Sequence, residues 1–325
     1  MVLNPFVRDI GEKILREEPI EYKEALELIS LGDEHLFDIL FFSDKIRKKY
    51  KGNKVNLCSI VNAKSGRCAE DCAFCAQSAY FKTDIQEYPL LNQDDILNKA
   101  QNAKRIGAHE FSIVTSGKAL KEDELERVTS FISTLKDSNS IIRCASLGML
   151  SKEMALSLKE AGLQNYHHNL ETSKSFFNNI CTTHSYGENF ETIKIAKEAG
   201  LYVCCGGIVG MGETKEQRIE LAFALRELDV DSVPINFLNP IKETGLEKRP
   251  LMEPMEALKT IALFRFILPK KEIVICGGRE VTLRDLQPMM FMAGASGILI
   301  GDYLTTKGRK PKEDLQMIKD LGLEI

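Results

Sequence analysis

The stretch VNLCSIVNAKSGRCAEDCAFCAQS (55–78) joins a β-rich run to a polar loop that carries three cysteines. Its opening run, VNLCSIV, has the composition of a β-strand. Seven further runs follow, separated by longer segments with helical periodicity: EFSIVTS (110–116), IIRCAS (141–146), NYHHNL (165–170), LYVCCGGI (201–208), SVPINFL (232–238), EIVICGG (272–278) and GILIG (297–301). Such an alternation with right-handed crossovers predicts an α/β fold, a parallel (βα)8 barrel of TIM type.

The segments between the strands favour helices, and several end in glycine before the next strand, as at Gly107, Gly162 and Gly200. Ahead of the first strand, Tyr22 to Leu31 and Leu36 to Arg47 carry apolar residues at spacings of three and four. We therefore expect a helical extension over residues 1–50 and one catalytic barrel domain over residues 51–325.

Composition narrows the class of protein. A net charge of −4 does not indicate the basic surface that nucleic-acid-binding proteins carry. The N-terminus lacks the pattern of a secretory signal and no run of eighteen apolar residues occurs, so we expect a soluble, cytoplasmic protein. Nine cysteines are an odd number, and a reducing compartment disfavours disulfides, so metal or cluster binding is the use to test.

Cys68, Cys72 and Cys75 follow the first strand with the spacing C-x3-C-x2-C. Three thiolates on one loop can hold an iron–sulfur cubane and leave one iron open to a further ligand. A structural zinc site would need a fourth ligand close by, and ordinary core cysteines would scarcely gather in a polar loop. The loop therefore predicts a [4Fe-4S] cluster at the C-terminal end of the strands, where barrel enzymes place their chemistry.

This spacing, with Phe74 just before the last cysteine, resembles the signature of the radical S-adenosylmethionine (SAM) superfamily. The resemblance implies that the amino and carboxylate groups of SAM bind the open iron. One electron from the cluster then cleaves SAM to methionine and a 5′-deoxyadenosyl radical, which abstracts an unactivated hydrogen atom. The protein's own part would be to orient cofactor and substrate.

From residue 55 onward the chain resembles the biotin synthase family, through CAEDCAFCAQS, NYHHNLETS, VCCGGIVGMGET, SVPINFL, GGRE, FMAGA and YLTT. The resemblance implies a sulfurtransferase-type enzyme that inserts sulfur into dethiobiotin to give biotin, the last step of biotin biosynthesis. It also implies that the sulfur comes from an auxiliary cluster inside the barrel. A flavodoxin- or ferredoxin-type electron donor and a homodimer are further expectations from the family.

By the same resemblance, Asn169 and Glu171 contact the SAM ribose and the substrate, although the family more often has Asp at the second position. The alternative is that Glu171 is an ordinary solvated glutamate and that Asn169 has only a structural role. Ile208 and Met211 would lie near the adenine. They belong to GGIVGMGET, which lacks the G-x-G-x-x-G order of a dinucleotide loop.

For the substrate, the resemblance implies that Asn236 binds the cyclic urea and that Thr305 and Thr306 bind the carboxylate. Alternatively, the asparagine satisfies a backbone group of the barrel and the threonines cap a helix. His167 and His168 are adjacent on a strand and so face opposite sides, which predicts one inward polar contact and no ligand pair.

The chain departs from its family at the auxiliary cluster, for which the commonest pattern uses three barrel cysteines and an arginine. Cys144 and Cys204 match that pattern, but Ser112 replaces the remaining cysteine and Val274 replaces the arginine. A [2Fe-2S] cluster with the usual ligands therefore cannot form.

Two other cysteines can compensate, namely Cys58 on the first predicted strand and Cys276 on the seventh. Cys58, Cys144, Cys204 and Cys276 then lie on odd-numbered strands, whose inward side chains form common layers in a barrel. We expect them to hold a four-iron cluster, with or without an extra sulfide as the donated atom. The alternative is that they are small buried hydrophobes, and Cys205 and Cys181 are interpreted as structural.

The sequence is also compatible with two other functions. Another radical SAM barrel, such as a hydrogenase-cofactor maturase or a methylornithine-type mutase, would fail to convert dethiobiotin. A non-catalytic iron–sulfur or zinc protein would not cleave SAM.

Overall fold

The computed structural model of the protein describes residues 3–138 and 141–325. All strand pairings are parallel and form one sheet. The strands are β1 (Asn56–Lys64), β2 (Glu110–Thr115), β3 (Ile142–Ser146), β4 (Asn165–His167), β5 (Tyr202–Cys204), β6 (Gly207–Val209), β7 (Ser232–Phe237), β8 (Glu272–Ile275) and β9 (Gly297–Leu299).

The sheet closes into a barrel. Its order is β5-β4-β3-β2-β1-β9-β8-β7-β6, and β5 also pairs with β7 at Cys204 and Ser232. β5 and β6 together occupy the position of one predicted strand, interrupted at Cys205 and Gly206, so the barrel has eight strand positions. The predicted (βα)8 architecture is confirmed.

Helices surround the barrel. They are α1 (Pro5–Leu15), α2 (Tyr22–Ser30), α3 (Leu36–Lys51), α4 (Gln93–Arg105), α5 (Glu122–Ser138), α6 (Lys152–Glu160), α7 (Tyr186–Glu198), α8 (Lys215–Glu227), α9 (Pro254–Ile267), α10 (Arg279–Leu283), α11 (Met289–Met292) and α12 (Pro311–Asp320). α2 packs on α8 and α9, and α3 packs on α9. The predicted extension is thus a helical layer on one side of the barrel, although residues 1 and 2 lie outside the described part and its boundary at residue 50 stays a prediction.

Local signals set the helix starts. Ser185 and Glu188 form a reciprocal capping box at α7, and Thr214 with Gln217 does the same at α8. α7 therefore begins at Tyr186, directly after this cap, because the cap satisfies amide groups of its first turn.

Strand alternation separates two environments. Leu57, Ala145, Val203 and Ile275 belong to the main apolar core between strands and helices. Their chain neighbours Cys58, Cys144, Cys204 and Cys276 therefore face the interior of the barrel.

No helix within residues 3–138 or 141–325 is both long enough and apolar enough to cross a membrane.

Replacing Gly206 with alanine tests the closure of the barrel, because a Cβ at this position would overlap the carbonyl oxygen of Pro234. We expect Gly206→Ala to lower the free energy of unfolding by about 1–3 kcal/mol, the usual cost of overpacking. Urea denaturation of the cluster-free chain, followed by circular dichroism, measures this.

Gly187→Ala is the matched control. Gly187 lies in the first turn of α7 with its nearest neighbour in ordinary contact, so alanine should be neutral or slightly stabilising there. Equal stability of the Gly206→Ala variant and the wild type would contradict the tight approach at Pro234.

Candidate functional site

The loop after β1 presents its three cysteines together. Cys68, Cys72 and Cys75 are partly exposed, whereas the other six cysteines are buried. The backbone of Cys68 bonds to that of Gln77 and Ala79, and the Cys75 amide donates to the Cys72 carbonyl at 2.9 Å. The three thiols line one cavity of about 270 Å³. The structure therefore brings together the three residues that the spacing singled out.

Asn169 and Glu171 line the same cavity from beyond the end of β4. The Gly206 amide donates to Asn169 Oδ1 at 3.1 Å, and the Ile208 amide donates to the Glu171 carbonyl at 2.8 Å. Glu171 has a φ of 65°, which is uncommon for a side chain other than glycine. Burial raises the pKa of Glu171 to about 7, and the Asn169 amide at 3.5 Å opposes that rise.

The glycine-rich loop after β6 is held from within. The backbone amides of Gly210, Met211 and Gly212 all donate to Glu213, at 2.7 to 3.1 Å. Glu213 also accepts from Arg218 at 2.8 Å. Because its own carboxylate takes these donors, the loop has no free amide nest for a phosphate. Glu213 was not among the predicted site residues, although an acidic residue directly after a glycine-rich run is a usable signal in the sequence.

Ile208 and Met211 occupy different environments. Ile208 lines a second cavity, of about 240 Å³. Met211 is buried in an apolar cluster behind it, against which Ile208 and Phe74 pack. Met211 therefore supports the wall and does not face either cavity.

The second cavity also contains Asn236, Thr305 and Thr306 in its lining. Asn236 Nδ2 donates to the Gly207 carbonyl at 3.3 Å, and the Gly277 amide donates to Asn236 Oδ1 at 3.0 Å. The threonines do not cap a helix, since α12 has Lys310 as its N-cap. Both cavities share four lining residues, Phe74, Cys75, Gln77 and Leu304, and are therefore adjacent.

A distant segment clamps the cysteine loop. Asp71 accepts hydrogen bonds from the Thr182 hydroxyl and from the backbone amides of Thr182 and Thr183, the latter two at 2.8 and 3.2 Å. Burial opposes these bonds, but together they lower the pKa of Asp71, with the Thr182 hydroxyl contributing most. Glu70 bonds to His184 Nδ1 at 2.5 Å. Cys181, interpreted from the sequence as structural, has its Sγ 3.8 Å from Cys72 Sγ. Sequence spacing could not reveal this contact, because the two thiols are 109 residues apart.

Deeper in the barrel lie the four inward cysteines. Cys58, Cys204 and Cys276 keep 7%, 8% and 7% of their surface exposed although they face the interior, so they border a space inside the barrel. Burial raises the pKa of each of the four thiols, and the neighbouring Glu110, Cys276 and Cys204 raise the pKa of Cys58 further. Four soft donors around one internal space fit an iron–sulfur cluster.

The residues at the two departures from the family pattern also face this space. Ser112 lies on β2 opposite Cys144, with its hydroxyl 3.4 Å from His167 Nδ1. Val274 packs with Cys276 and Leu299. Neither residue adds a thiol or a cation to the four cysteines. Cys205 belongs to the outward-facing core, as the alternation predicts.

The adjacent histidines have different hydrogen-bond partners, although both line the first cavity. His167 reaches Ser112 in the interior, whereas His168 Nε2 lies 3.1 Å from Asn189 Oδ1. They do not form a ligand pair.

Comparisons with known proteins agree along the whole chain. The Radical SAM superfamily model matches residues 63–225, and the Biotin and Thiamin Synthesis associated domain matches residues 234–324. The chain is 53% identical over 317 residues to a biotin synthase of Geotalea daltonii, covering 97% of this chain and 96% of that protein. A biotin synthase of Carboxydothermus hydrogenoformans is 52% identical over 318 residues, covering 97% and 98%.

Solved structures share the fold at low sequence identity. The crystal structure of methylornithine synthase superposes with a TM-score of 0.85 at 20% identity, covering 97% of this chain and 96% of that chain. The FeFe-hydrogenase maturase HydG from Carboxydothermus hydrogenoformans gives a TM-score of 0.83 at 15% identity, covering 98% and 78%. These likenesses concern the architecture only.

The raised pKa of Glu171 predicts a pH dependence of stability. Between its ordinary value of 4.5 and about 7, the folded chain keeps a proton that the unfolded chain has released. The contribution of this group to the free energy of unfolding is therefore full below pH 4.5 and is lost as the pH rises to 7, by up to about 3 kcal/mol. Glu171→Gln should remove that loss in urea denaturation of the cluster-free chain at several pH values.

Glu188→Gln is the control, because Lys118 lowers the pKa of Glu188 to about 2. Between about pH 5.5 and 7, Glu188 is ionised in both the folded and the unfolded chain, so its replacement should leave the slope in that range unchanged. A Glu171→Gln variant with the wild-type slope would contradict the raised pKa.

Proposed function

The chain belongs to the biotin synthase family of radical SAM enzymes and catalyses sulfur insertion into dethiobiotin to give biotin, and we propose how its own residues divide that task. Family membership implies a [4Fe-4S] cluster with SAM and an auxiliary iron–sulfur cluster. The observation that carries the proposal is the shared cavity, in which the three loop thiols face the polar residues after β4.

Cys68, Cys72 and Cys75 would hold the [4Fe-4S] cluster. When bound, the cluster and SAM supply the one-electron chemistry that removes hydrogen from unactivated carbon. The clamp from Asp71 and Glu70 to residues 182–184 keeps the loop in place. Glu171 would accept hydrogen bonds from the ribose hydroxyls, and Asn169 would orient the Glu171 carboxylate. The backbone that carries both residues is hydrogen-bonded to β6. Phe74, which lines both cavities, and Ile208, which lines the second, would supply apolar walls toward the adenine, with Met211 behind them.

Dethiobiotin would occupy the second cavity. An asparagine side chain has two N–H donors and two acceptor lone pairs. Asn236 uses one of each on Gly207 and Gly277, which leaves one donor and one acceptor for the cyclic urea. Thr305 and Thr306 would bind the carboxylate at the other end of the same cavity. The shared wall at Phe74 and Cys75 then holds the substrate beside the SAM site.

Cys58, Cys144, Cys204 and Cys276 would hold the auxiliary cluster, as a four-iron type with or without an extra sulfide. Support comes from their common orientation into one internal space and from the apolar Val274 at the position of the family's arginine. Their raised pKa values mean that the thiols stay protonated until a metal replaces the protons.

An electron donor of flavodoxin or ferredoxin type would approach the cysteine loop, which reaches the surface at the exposed Tyr80. The proposed homodimer is supported by the family resemblance alone.

Iron content tests the auxiliary ligands. After anaerobic reconstitution we expect about eight irons per chain in the wild type and about four in a Cys58→Ala, Cys276→Ala double variant, since four thiolates hold a four-iron cluster. Iron and sulfide analysis with Mössbauer spectroscopy measures both.

Cys205→Ala is the matched control, because Cys205 is buried in the outward-facing core, and it should keep the full iron content. A wild type with a [2Fe-2S] cluster, or a double variant that loses no iron, would disprove the auxiliary assignment and leave the loop cluster unaffected.

Turnover separates the two metal sites. The reduced wild type should cleave SAM and convert dethiobiotin to biotin. The Cys58, Cys276 double variant should still cleave SAM but form no biotin, whereas Cys72→Ser should do neither, because only the loop cysteines serve the SAM cluster. Mass spectrometry of methionine and biotin measures both products.

SAM cleavage without biotin from the wild type would point to a different radical SAM reaction. No SAM cleavage at all would point to a non-catalytic iron–sulfur protein.

A further inference from the structure

Three neighbouring strands bring a carboxylate, a thiol and an imidazole together inside the barrel. Glu110 comes from β2, Cys144 from β3 and His167 from β4. One ligand atom from each lies within 4.8 Å of the other two. The strand register explains this proximity. Cys144 is paired with Ser112 on β2 and with Asn165 on β4. Glu110 lies two residues from Ser112, and His167 lies two residues from Asn165.

Glu110 is held in place by neutral groups. Asn56 Nδ2 donates to Oε1 at 2.5 Å, and Asn165 Nδ2 donates to Oε2 at 3.3 Å. The Cys144 thiol lies 3.5 Å from the same Oε2. These two amides fix the orientation of the partly buried carboxylate and bring no cation beside it, so its oxygens remain suitable ligands for a metal ion. Hydrogen-bonded carboxylates of this kind are typical of metal ligands.

His167 offers an unused ring nitrogen. Its Nδ1 lies 3.4 Å from the Ser112 hydroxyl, which can accept the ring N–H. Its Nε2 is buried and has no hydrogen-bond partner within the described ranges. In the tautomer that donates from Nδ1, Nε2 carries a free lone pair. An oxygen acceptor on one ring nitrogen and an available lone pair on the other is the usual arrangement of a metal-binding histidine.

We propose that Glu110, Cys144 and His167 bind one divalent transition-metal ion, of the Fe²⁺ and Zn²⁺ class, in the chain that lacks the auxiliary cluster. Mixed oxygen, sulfur and nitrogen ligands suit these borderline ions, and three protein ligands leave a position for water. Binding displaces the Cys144 thiol proton to solvent, and no electron is transferred. The ion and the auxiliary cluster exclude one another because both require Cys144, a consequence that rests on the proposed function.

A second group of donors, Cys72, Cys181 and His184, lies beside the cysteine loop. Its donors already satisfy one another, since Cys181 Sγ is 3.3 Å from Asp71 Oδ1 and His184 Nδ1 bonds to Glu70. It also contains a proposed ligand of the SAM cluster. The protein used in the experiment below therefore has both cysteines of this group replaced by serine, and it is called the background protein.

The test uses Co²⁺ as the probe and the full chain, cluster-free and anaerobic, with the four cysteines Cys68, Cys72, Cys75 and Cys181 replaced by serine. We expect one Co²⁺ per chain, with a thiolate-to-metal charge-transfer band that reports a single sulfur ligand. Glu110→Gln and His167→Gln should each weaken Co²⁺ binding at least about tenfold. Ser112→Ala removes the hydrogen-bond partner of His167 Nδ1 and should weaken Co²⁺ binding by about tenfold.

Two controls separate this site from its neighbours. His168→Gln changes the adjacent ring, which bonds to Asn189, and should bind Co²⁺ like the background protein. Cys276→Ser removes a cysteine of the proposed cluster and should also leave Co²⁺ binding unchanged. Circular dichroism verifies that every variant is folded before its affinity is compared.

A spectrum with four sulfur ligands that is lost in Cys276→Ser and kept in Glu110→Gln would overturn the proposal, since the metal would then sit among the four cysteines. Absence of Co²⁺ binding by the folded background protein would overturn it as well. Neither outcome depends on turnover, so a failure of the proposed reaction is seen separately, as absence of biotin.

With the loop cysteines intact, loading Zn²⁺ first should lower iron uptake at the barrel interior, and Glu110→Gln should restore it. Equal iron uptake with and without bound Zn²⁺ would contradict the mutual exclusion.

Discussion

The hydrogen-bonded register of the closed barrel is the constraint on which the interior chemistry depends. Cys58 pairs with Glu110 on one side and with Leu299 on the other, and Cys144 is paired with Ser112. Because side chains alternate between faces, a slip of one residue on any strand would move its cysteine into the helix-facing core. The pairing of β5 with β7 closes the sheet and so makes the register of each strand depend on all the others.

The cysteines of the loop after β1 and those of the barrel interior lie in different environments. The loop cysteines are partly exposed and border an open cavity, whereas the barrel cysteines are buried on rigid strands. A loop can admit a cofactor that comes and goes, and it is kept in position here by the clamp from Asp71 to residues 182 and 183. Strands hold ligands at fixed positions, which suits the proposed auxiliary cluster inside the barrel.

The ionisable side chains inside the barrel are of types that bind metals. Burial raises the pKa of the barrel thiols, and Glu110 raises it further, so the cluster-free interior holds neutral thiols beside one carboxylate. Metal binding must therefore release protons, which makes assembly dependent on pH. With the apolar Val274 packed against Cys276, the proposed four-cysteine site has no cationic group at the family's arginine position.

Three features follow from the amino-acid sequence alone, because period and spacing are local properties: the βα alternation, the three-cysteine loop and the inward parity of four cysteines. The sequence also carried the family resemblance, which the comparisons confirmed. Only the tertiary structure placed Cys181 against Cys72, Glu213 under the glycine-rich loop and Glu110 beside His167. Contacts of this kind depend on how distant segments register and close in space. No pattern within a single segment encodes that closure.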